Sequence, residues 1–337
     1  MRYIGVDLHK NSFYVSYLEE DGRVSYREYQ MKQLESFKRE LRKEDVVAVE
    51  ATGNSRYFVK QIASLVERVE VVNPSQFRVI RDSVKKTDKH DSELLALFLS
   101  KGLLPQVRQK AELQAQLKSL AQTRDKLVKL RTTLKNKLHN ILNAHGIVTK
   151  REAFSSKKGL RRVLEYDLDP TAQLELEVIV EQIEHLNEGI AKIDREIEDR
   201  GSRLKGFDNL ISISGVGKKS ATILLSIIGD INDFEDDKKL SAYFGLVPRV
   251  SQSNQRQHQG RITKHGSKLG RTTLVQCCLI SIKYSPYLRS FYERIKAKKG
   301  AGKAIVATAR KLLSIIYHTL KNNWVFEDFP NFVIKKA

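Results

Sequence analysis

The sequence predicts an α/β domain at the N-terminus followed by a long α-helical region. Up to about residue 105, short β-branched runs alternate with segments of helical pattern. From about residue 111 onward, leucine and isoleucine recur at spacings of three and four, which is typical of helices that pack together. The chain has 337 residues, of which 41% are hydrophobic, so it is long enough for two or three packed units.

The first predicted domain, residues 1–105, contains five strands. They are predicted at Tyr3–Leu8, Ser12–Leu18, Val24–Tyr29, Val46–Glu50 and Val69–Val72. Helices are predicted at Lys32–Lys43 and Ser55–Val66, after Asn73-Pro74, and over Asp91–Leu99. Three meandering strands followed by alternating helices and strands are the order of a ribonuclease-H-like domain.

Four acidic residues fall where this order places them near one end of the sheet. Asp7 is on the first strand, Glu50 ends the fourth, and Asp88 and Asp91 begin the last helix, three residues apart on one face. An acid inside an apolar strand costs free energy unless it is paired or binds a metal ion. Clustered carboxylates bind Mg²⁺, so we predict a two-metal site for phosphodiester chemistry. The alternative is four solvated or helix-capping acids.

The second predicted domain, residues 106–204, carries two heptad-like stripes. The first consists of Leu113, Leu117, Leu120, Leu127, Leu134, Leu138 and Ile141, and the second of Leu176, Ile179, Ile183, Leu186, Ile190, Ile193 and Ile197. We interpret them as a long antiparallel coiled coil that serves as a scaffold and oligomerisation arm. Its basic first helix could also lie along nucleic acid.

The third predicted domain, residues 205–325, is mainly helical and is followed by a tail, 326–337. It opens with Gly215-Val216-Gly217, which looks like a helix-hairpin-helix whose backbone amides approach a phosphate; an ordinary glycine turn is the alternative. Residues 244–266 are polar and basic, and predict a flexible loop that contacts phosphates. A serine there, Ser251 or Ser253, is a nucleophile only if a metal ion or a base activates it.

The charge distribution favours a polyanionic partner. Lysine and arginine number 60 against 40 aspartates and glutamates, a net charge of +20. Between Arg249 and Lys311 there are 15 basic residues and one acid, Glu293. Neutralising phosphates releases condensed counterions, so nucleic acid is the favoured partner. The residues that we predict to bind it are Gly215, Gly217, Lys218, Lys219, Arg249, Arg256, Arg261, Lys264, Lys268 and Arg271.

Other functional classes are disfavoured by what the sequence contains. Cys277 and Cys278 are adjacent in an apolar helical run, which suits neither a disulfide framework nor a zinc site. The N-terminus lacks a signal-peptide pattern, and no apolar run approaches 18 residues. We therefore expect a cytoplasmic protein without a membrane partner.

The motifs resemble the DEDD transposases of insertion-sequence family 110, a prokaryotic group that includes the Piv DNA invertase. The matching segments, in order, are GVDLHKNSF, VEATGNS, KTDKHDSELLA, SISGVGKKSATILLSIIGDINDF and LSAYFGLVPRVSQSNQRQHQGRITKHGSKLGRTTLVQ. The resemblance implies a RuvC-like N-terminal domain in which Asp7, Glu50, Asp88 and Asp91 hold Mg²⁺, with Mn²⁺ as an alternative. It also implies a catalytic serine at Ser253. Asn254 replaces the family's usual glycine, which leaves Ser251 as the alternative.

The same resemblance implies an activity and partners. The serine would attack a DNA phosphodiester and form a covalent phosphoserine–DNA intermediate. The implied partners are double-stranded donor and target DNA, a structured non-coding bridge RNA that guides the protein, and further copies of the chain in a dimer or tetramer. Two other functions stay open: a RuvC-like junction endonuclease that uses water as nucleophile, and a non-catalytic nucleic-acid scaffold.

Overall fold

A computed structural model describes residues 1–73, 87–105, 110–253 and 256–326, with the backbone alone at 250–253 and 256–259. The chain divides into two units, residues 1–109 and 110–337. The helix predicted after Pro74 lies outside the described residues, as do Asn254 and most of the predicted tail. Within the described part of the chain, no helix has the length and apolar character needed to cross a membrane.

The first unit is built on a five-stranded mixed sheet. Its strands are β1 (Arg2–Leu8), β2 (Ser12–Leu18), β3 (Val24–Gln30), β4 (Asp45–Glu50) and β5 (Arg68–Val72). The spatial order is β3-β2-β1-β4-β5. β2 pairs antiparallel with β1 and β3, whereas β4 pairs parallel with β1 and β5. All five predicted strands are confirmed, and so is the mixed α/β class of this region.

Both faces of this sheet are covered, which explains why β1 and β4 are nearly continuous apolar runs. Its helices are α1 (Leu34–Glu40), α2 (Ser55–Ile62) and α3 (Asp88–Ser100). Phe37 of α1 and Phe58 of α2 pack in one core with Phe13 of β2. α3 packs on the other face, against Val46 and Ala48 of β4. It begins three residues before the predicted start because Thr87 caps its first turn, accepting a hydrogen bond from the His90 amide.

Helix α3 lies directly against β1 at Gly5. A side-chain carbon at position 5 would lie 2.0 Å from the Ser92 carbonyl oxygen and 2.6 Å from the Ala96 nitrogen. Beside this contact, the buried hydroxyls of Ser16 and Ser92 are hydrogen bonded at 2.8 Å. Only glycine permits this approach, which fixes the start of α3 over the end of β1.

The opposite end of β1 and β4 is closed by a buried ion pair. Arg2 Nε donates to Asp45 Oδ1 at 3.0 Å, and Arg2 Nη2 donates to Asp45 Oδ2 at 2.8 Å. Arg2 Nη2 also donates to the Glu40 carbonyl, and the Arg42 amide donates to Asp45. Both charges are therefore well satisfied, as buried charges must be.

The second unit contains two long helices, α4 (Glu112–Ala144) and α6 (Pro170–Gly201), joined through a short helix, α5 (Lys157–Arg161). The two long helices run antiparallel. Arg131 donates to Asn187 at 2.8 Å, whereas Arg124, earlier in α4, pairs with Asp194, later in α6. The predicted long helices are thus confirmed. Leu117 of α4 and Ile197 of α6 belong to the same core as the helices that follow.

The remainder of the second unit is mainly helical, as predicted. Its helices are α7 (Phe207–Ile211), α8 (Lys218–Ile228), α9 (Asp237–Tyr243), α10 (Lys268–Tyr284), α11 (Pro286–Lys299) and α12 (Ala301–Lys321). Cys277 and Cys278 of α10 are buried and free. α8 is the central helix, since every residue from Ala221 to Ile228 is buried.

The prediction of a flexible loop at residues 244–266 is wrong. The segment contains an antiparallel hairpin of β6 (Pro248–Ser253) and β7 (Arg256–Ile262). Its glutamines and serines do not alternate with apolar residues, so the usual sequence signal for a half-buried strand is missing.

We expect Gly5→Ala to destabilise the first unit because the added methyl group meets the backbone of α3. Overpacking of this kind costs about 1–3 kcal/mol, or more where backbone must move. Thermal unfolding followed by circular dichroism measures the loss. Gly53→Ala is the control, since a side-chain carbon at position 53 has no neighbour within 4 Å among the described residues. Equal melting temperatures for the two variants would contradict the direct helix–strand contact.

Candidate metal centre

The C-terminal ends of two parallel strands bring Asp7 and Glu50 side by side. Val6 of β1 pairs with Val49 of β4, so the next residue of each strand lies at the same edge of the sheet. Asp7 is only 4% exposed, and Glu50 is half-buried. The Glu50 carboxyl is close enough to Asp7 to raise the pKa of Asp7.

Helix α3 adds Asp88 to this edge, and His9 lies between the two aspartates. His9 Nε2 is 3.3 Å from Asp7 Oδ2 and 3.4 Å from Asp88 Oδ1. One ligand atom from each of these three residues lies within 4.8 Å of the other two. The structure therefore brings Asp7 and Asp88 together at one histidine, with Glu50 beside Asp7.

The electrostatics of this cluster favour a bound cation. Burial raises the pKa of Asp7 to about 7; repulsion from Glu50 and Asp88 adds to this rise, whereas His9 opposes it. A cation among these acids would replace repulsion with attraction. Carboxylate oxygens are the preferred ligands of Mg²⁺ and Mn²⁺, so the donor set fits a hard divalent cation.

Asp91, the fourth predicted acid, lies one helical turn beyond Asp88 on α3 and is half-buried. Among the described residues, the compact cluster comprises Asp7, His9 and Asp88. Participation of Asp91 in metal binding therefore stays a prediction.

Sequence reasoning missed His9. The residue lies two positions after Asp7 in the turn that follows β1, and an isolated histidine in a polar turn is no distinctive signal. Its position depends on a distant segment: Asn54 Nδ2 donates to the His9 carbonyl oxygen at 2.8 Å. Asn54 Oδ1 in turn accepts from the Thr52 hydroxyl at 2.9 Å. The segment after Glu50 therefore holds the turn that carries His9.

The predicted nucleophile lies in the second unit. Ser253 is the last residue of β6, where its Cα is paired with that of Arg256, and Ser251 is paired with His258. The acid cluster lies in the first unit. The catalytic role of either serine stays a prediction.

The predicted nucleic-acid-binding residues fall into two groups. Five have exposed side chains: Lys218, Arg249, Arg261, Lys264 and Lys268. The side chain of Arg256 is outside the described part.

Four others have contacts or conformations that support the fold. Lys219 pairs with Asp194 at 2.9 Å, and Arg271 Nη1 donates to the carbonyls of Phe244 and Gly266. Gly215 has a φ of 101° and packs against α10, and Gly217 is the N-cap residue of α8. These contacts give Lys219 and Arg271 structural roles.

Comparison with known proteins gives two family matches. Residues 208–293 match the profile described as "Transposase IS116/IS110/IS902 family". Residues 4–147 match a second profile, described as a transposase and named for the DEDD type of IS110. The four acids and His9 lie in the second match, and both candidate serines lie in the first.

Full-length relatives are similar over most of the chain. The transposase for insertion sequence element IS1111A of Coxiella burnetii is 26% identical over 332 residues, 95% of this chain and 90% of the relative. A probable family 20 transposase of Pseudomonas aeruginosa is 28% identical and covers 82% of this chain and 84% of its own length. The pilin gene-inverting protein of Moraxella lacunata is 29% identical, covering 77% of this chain and 74% of its own length.

We expect Asp7→Asn to stabilise the metal-free protein at pH 8. The folded-state pKa of Asp7 is raised to about 7, whereas an unfolded aspartate titrates near pH ~3.9. Stability from the protonated acid is therefore complete below about pH 4 and is lost as the pH rises through about 7. Asparagine stays neutral and avoids this loss, so thermal unfolding in EDTA should show a melting temperature a few degrees higher at pH 8. The difference should fade towards pH 4.

The matched control is Asp45→Asn. Asp45 is also a fully buried aspartate at the end of a strand, but it is paired with Arg2. Removing its charge leaves Arg2 unpaired, which costs about 3–5 kcal/mol. If the melting temperatures of both Asp7→Asn and Asp45→Asn fell at pH 8, this would contradict the conclusion that neighbouring acids and burial destabilise the charge of Asp7.

We also expect Mn²⁺ to raise the melting temperature of the wild type, because ligands that bind the folded state stabilise it. His9→Ala should reduce this rise, and Asp7→Asn should abolish it. His185→Ala, an exposed histidine of α6, is the control and should leave it unchanged. A full rise in the Asp7→Asn variant would exclude this cluster as the metal site.

Proposed function

Because the chain belongs to the IS110/IS116/IS902 transposase family, we propose that it is a Mg²⁺-dependent recombinase that inserts its element at specific DNA sites through a covalent serine intermediate. The observation that carries this proposal is the cluster of Asp7, His9 and Asp88, with Glu50 beside it. The strand order and the placement of the acids at the ends of β1 and β4 support a RuvC-like domain. The relatives that invert pilin genes support site-specific recombination.

The acids would hold the metal ion beside the reacting phosphodiester. Asp7, Glu50, Asp88 and Asp91 are the proposed ligands of Mg²⁺, with Mn²⁺ as an alternative. When bound, the ion polarises the phosphate and stabilises charge on the leaving oxygen. Asp7 is the central ligand because it is the most deeply buried of the set, and its neighbours on β4 and α3 approach it from two sides.

Ser253 would supply the nucleophile, with Ser251 as the alternative. Its Oγ would bond to the phosphorus while the bond from phosphorus to the 3′ oxygen breaks. The serine proton leaves, and the released 3′ oxygen gains one, so the products are a phosphoserine ester and a free 3′-hydroxyl. One phosphodiester is exchanged for another, and no external energy source is needed for rejoining.

The proposed partners follow from the charge and from the resemblance. Net charge of +20 and the basic stretch from Arg249 to Lys311 support binding of double-stranded donor and target DNA and of a structured guide RNA. The antiparallel pair of α4 and α6 is proposed to form the coiled coil through which copies of the chain assemble. In such an assembly the acids of one copy would act with the serine of another. The segment from Gly215 to Lys219 is proposed as a helix-hairpin-helix contact to DNA.

A junction endonuclease that uses water is the second candidate. The cluster of Asp7, His9, Asp88 and Glu50 lies within the first unit, and metal-dependent hydrolysis requires only such a cluster and water. The two candidates differ in whether a protein–DNA bond forms.

We expect a protein–DNA adduct on a denaturing gel when the protein is incubated with DNA containing the element's ends, the flanking non-coding RNA and Mg²⁺. Ser253→Ala should reduce this adduct at least 100-fold, because the nucleophile is lost. Ser251→Ala changes the alternative nucleophile on the same strand and should retain the adduct; loss of the adduct in Ser251→Ala alone would assign the nucleophile to Ser251. A wild type that cleaves DNA without an adduct, together with full cleavage by Ser253→Ala, would establish the endonuclease instead.

We expect Asp88→Asn to reduce strand cleavage at least 100-fold, because a proposed metal ligand is neutralised at unchanged volume. Asp21→Asn, in the turn between β2 and β3, is the control and should cleave normally. Cleavage is measured on labelled DNA at saturating Mg²⁺. Full activity of Asp88→Asn would remove the acid cluster from the mechanism.

A further inference from the structure

A large groove in the second unit lies between the end of the β6–β7 hairpin and the helices α11 and α12. Its volume is about 880 Å³. Each wall contributes cations: Arg261 and Lys264 from the end of β7 and just beyond it, Arg294, Lys298 and Lys299 from α11, and Lys303 and Arg310 from α12. We call this feature the basic groove.

The charge of the basic groove is not neutralised within the chain as described. Across the described residues, these seven cations take part in no ion pair, and no aspartate or glutamate lines the groove. By contrast Lys296, on the same helix α11, pairs with Glu293 outside the groove. Seven like charges around one cavity repel each other, so an anion bound there is favoured.

The interior of the groove is apolar. Leu246, Ile262, Ile295 and Val306 contribute to its lining, together with the ring of Phe291. The Arg294 guanidinium carbon lies 5.4 Å from the centre of that ring. A cation stacked on an aromatic ring presents a flat surface, and unpaired nucleobases stack on such surfaces.

The groove is small relative to a duplex. Its volume equals that of a cube with an edge of about 10 Å, which suits a few unpaired nucleotides. In a duplex, moreover, the bases are stacked on each other, and the surface presents phosphates. A single strand offers both phosphates for the rim and free bases for the apolar interior.

We propose that the basic groove binds a single-stranded segment of nucleic acid, with phosphates on the lysines and arginines and at least one base against Phe291 and Arg294. The choice of nucleic acid as the ligand rests on the proposed function. The groove belongs to the second unit and the acid cluster to the first, and binding in the groove needs neither the metal ion nor the serine. Ile262 lies six residues along β7 from Arg256, the partner of Ser253, which is ~20 Å in an extended strand. The groove would thus hold a strand at a distance from the candidate nucleophile.

The test is binding of labelled oligonucleotides to the full chain, measured by fluorescence anisotropy in EDTA so that no cleavage occurs. The variant is the double substitution Lys298→Gln and Lys303→Gln. The matched control, Lys283→Gln with Lys296→Gln, removes the same charge from exposed positions of α10 and α11 that do not line the groove. Equal melting temperatures establish that each variant is folded.

For a single strand of mixed sequence, the groove variant should bind about 25-fold more weakly at 0.1 M salt, with a salt slope smaller by about 1.4, since each phosphate contact contributes about 0.7. The control variant should lose much less affinity for the single strand. Equal losses for groove and control variants, or an equal loss for single strand and duplex, would overturn the proposal.

A second variant tests the base contact. Phe291→Leu keeps an apolar side chain but removes the ring, so it should weaken single-strand binding by at least about fivefold. The affinity of Phe291→Leu for an abasic strand of the same length should equal that of the wild type. An equal effect on both strands would overturn the base contact.

RNA and DNA strands of one sequence are compared to identify the source of the segment. A tenfold preference for RNA identifies the guide, and a similar preference for DNA identifies the recombining strand. The assay needs no catalysis, so it depends neither on the metal ion nor on the serine. Failure of the recombinase proposal would therefore leave this result unaffected.

Discussion

The contact between α3 and β1 at Gly5 is the constraint on which the metal centre depends. Without a side chain at Gly5, the backbone of α3 rests on the strand, and the helix start lies over the strand end. The acids of β1 and β4 share one sheet edge because parallel strands end together. Asp88 lies at that edge because it is in the first turn of α3. Packing at one glycine thus determines whether the acids form a single site.

The two ends of β1 and β4 place buried acids in opposite surroundings. At one end, Asp45 is buried but fully paired with Arg2, so its charge supports the fold. At the other end, Asp7 is almost as buried and lies beside Glu50 and Asp88, which repel its charge, whereas His9 favours that charge. An acid kept in such surroundings costs stability, which is expected of residues retained for binding or catalysis.

The second unit has two kinds of cation: those paired within the fold and those that line the basic groove. Its hydrophobic core includes the N-terminal part of α4, the C-terminal part of α6 and α8 from Ala221 onward. Cations that are needed for the fold have partners, as Lys219 has in Asp194. Those around the basic groove lack ion-pair partners among the described residues, and they surround an apolar interior that contains Phe291. This combination suits a ligand with both phosphates and exposed bases.

The sequence by itself determined the α/β class of the first unit, the five strands, the two long helices and the candidate acids. Those features follow from local periodicity and from the cost of placing an acid in an apolar strand. Tertiary structure alone decided that His9 joins Asp7 and Asp88, because Asn54, 45 residues away, holds its turn. It also decided the β6–β7 hairpin and the basic groove. Both depend on segments that meet only after folding, and neither leaves a periodic signal along the chain.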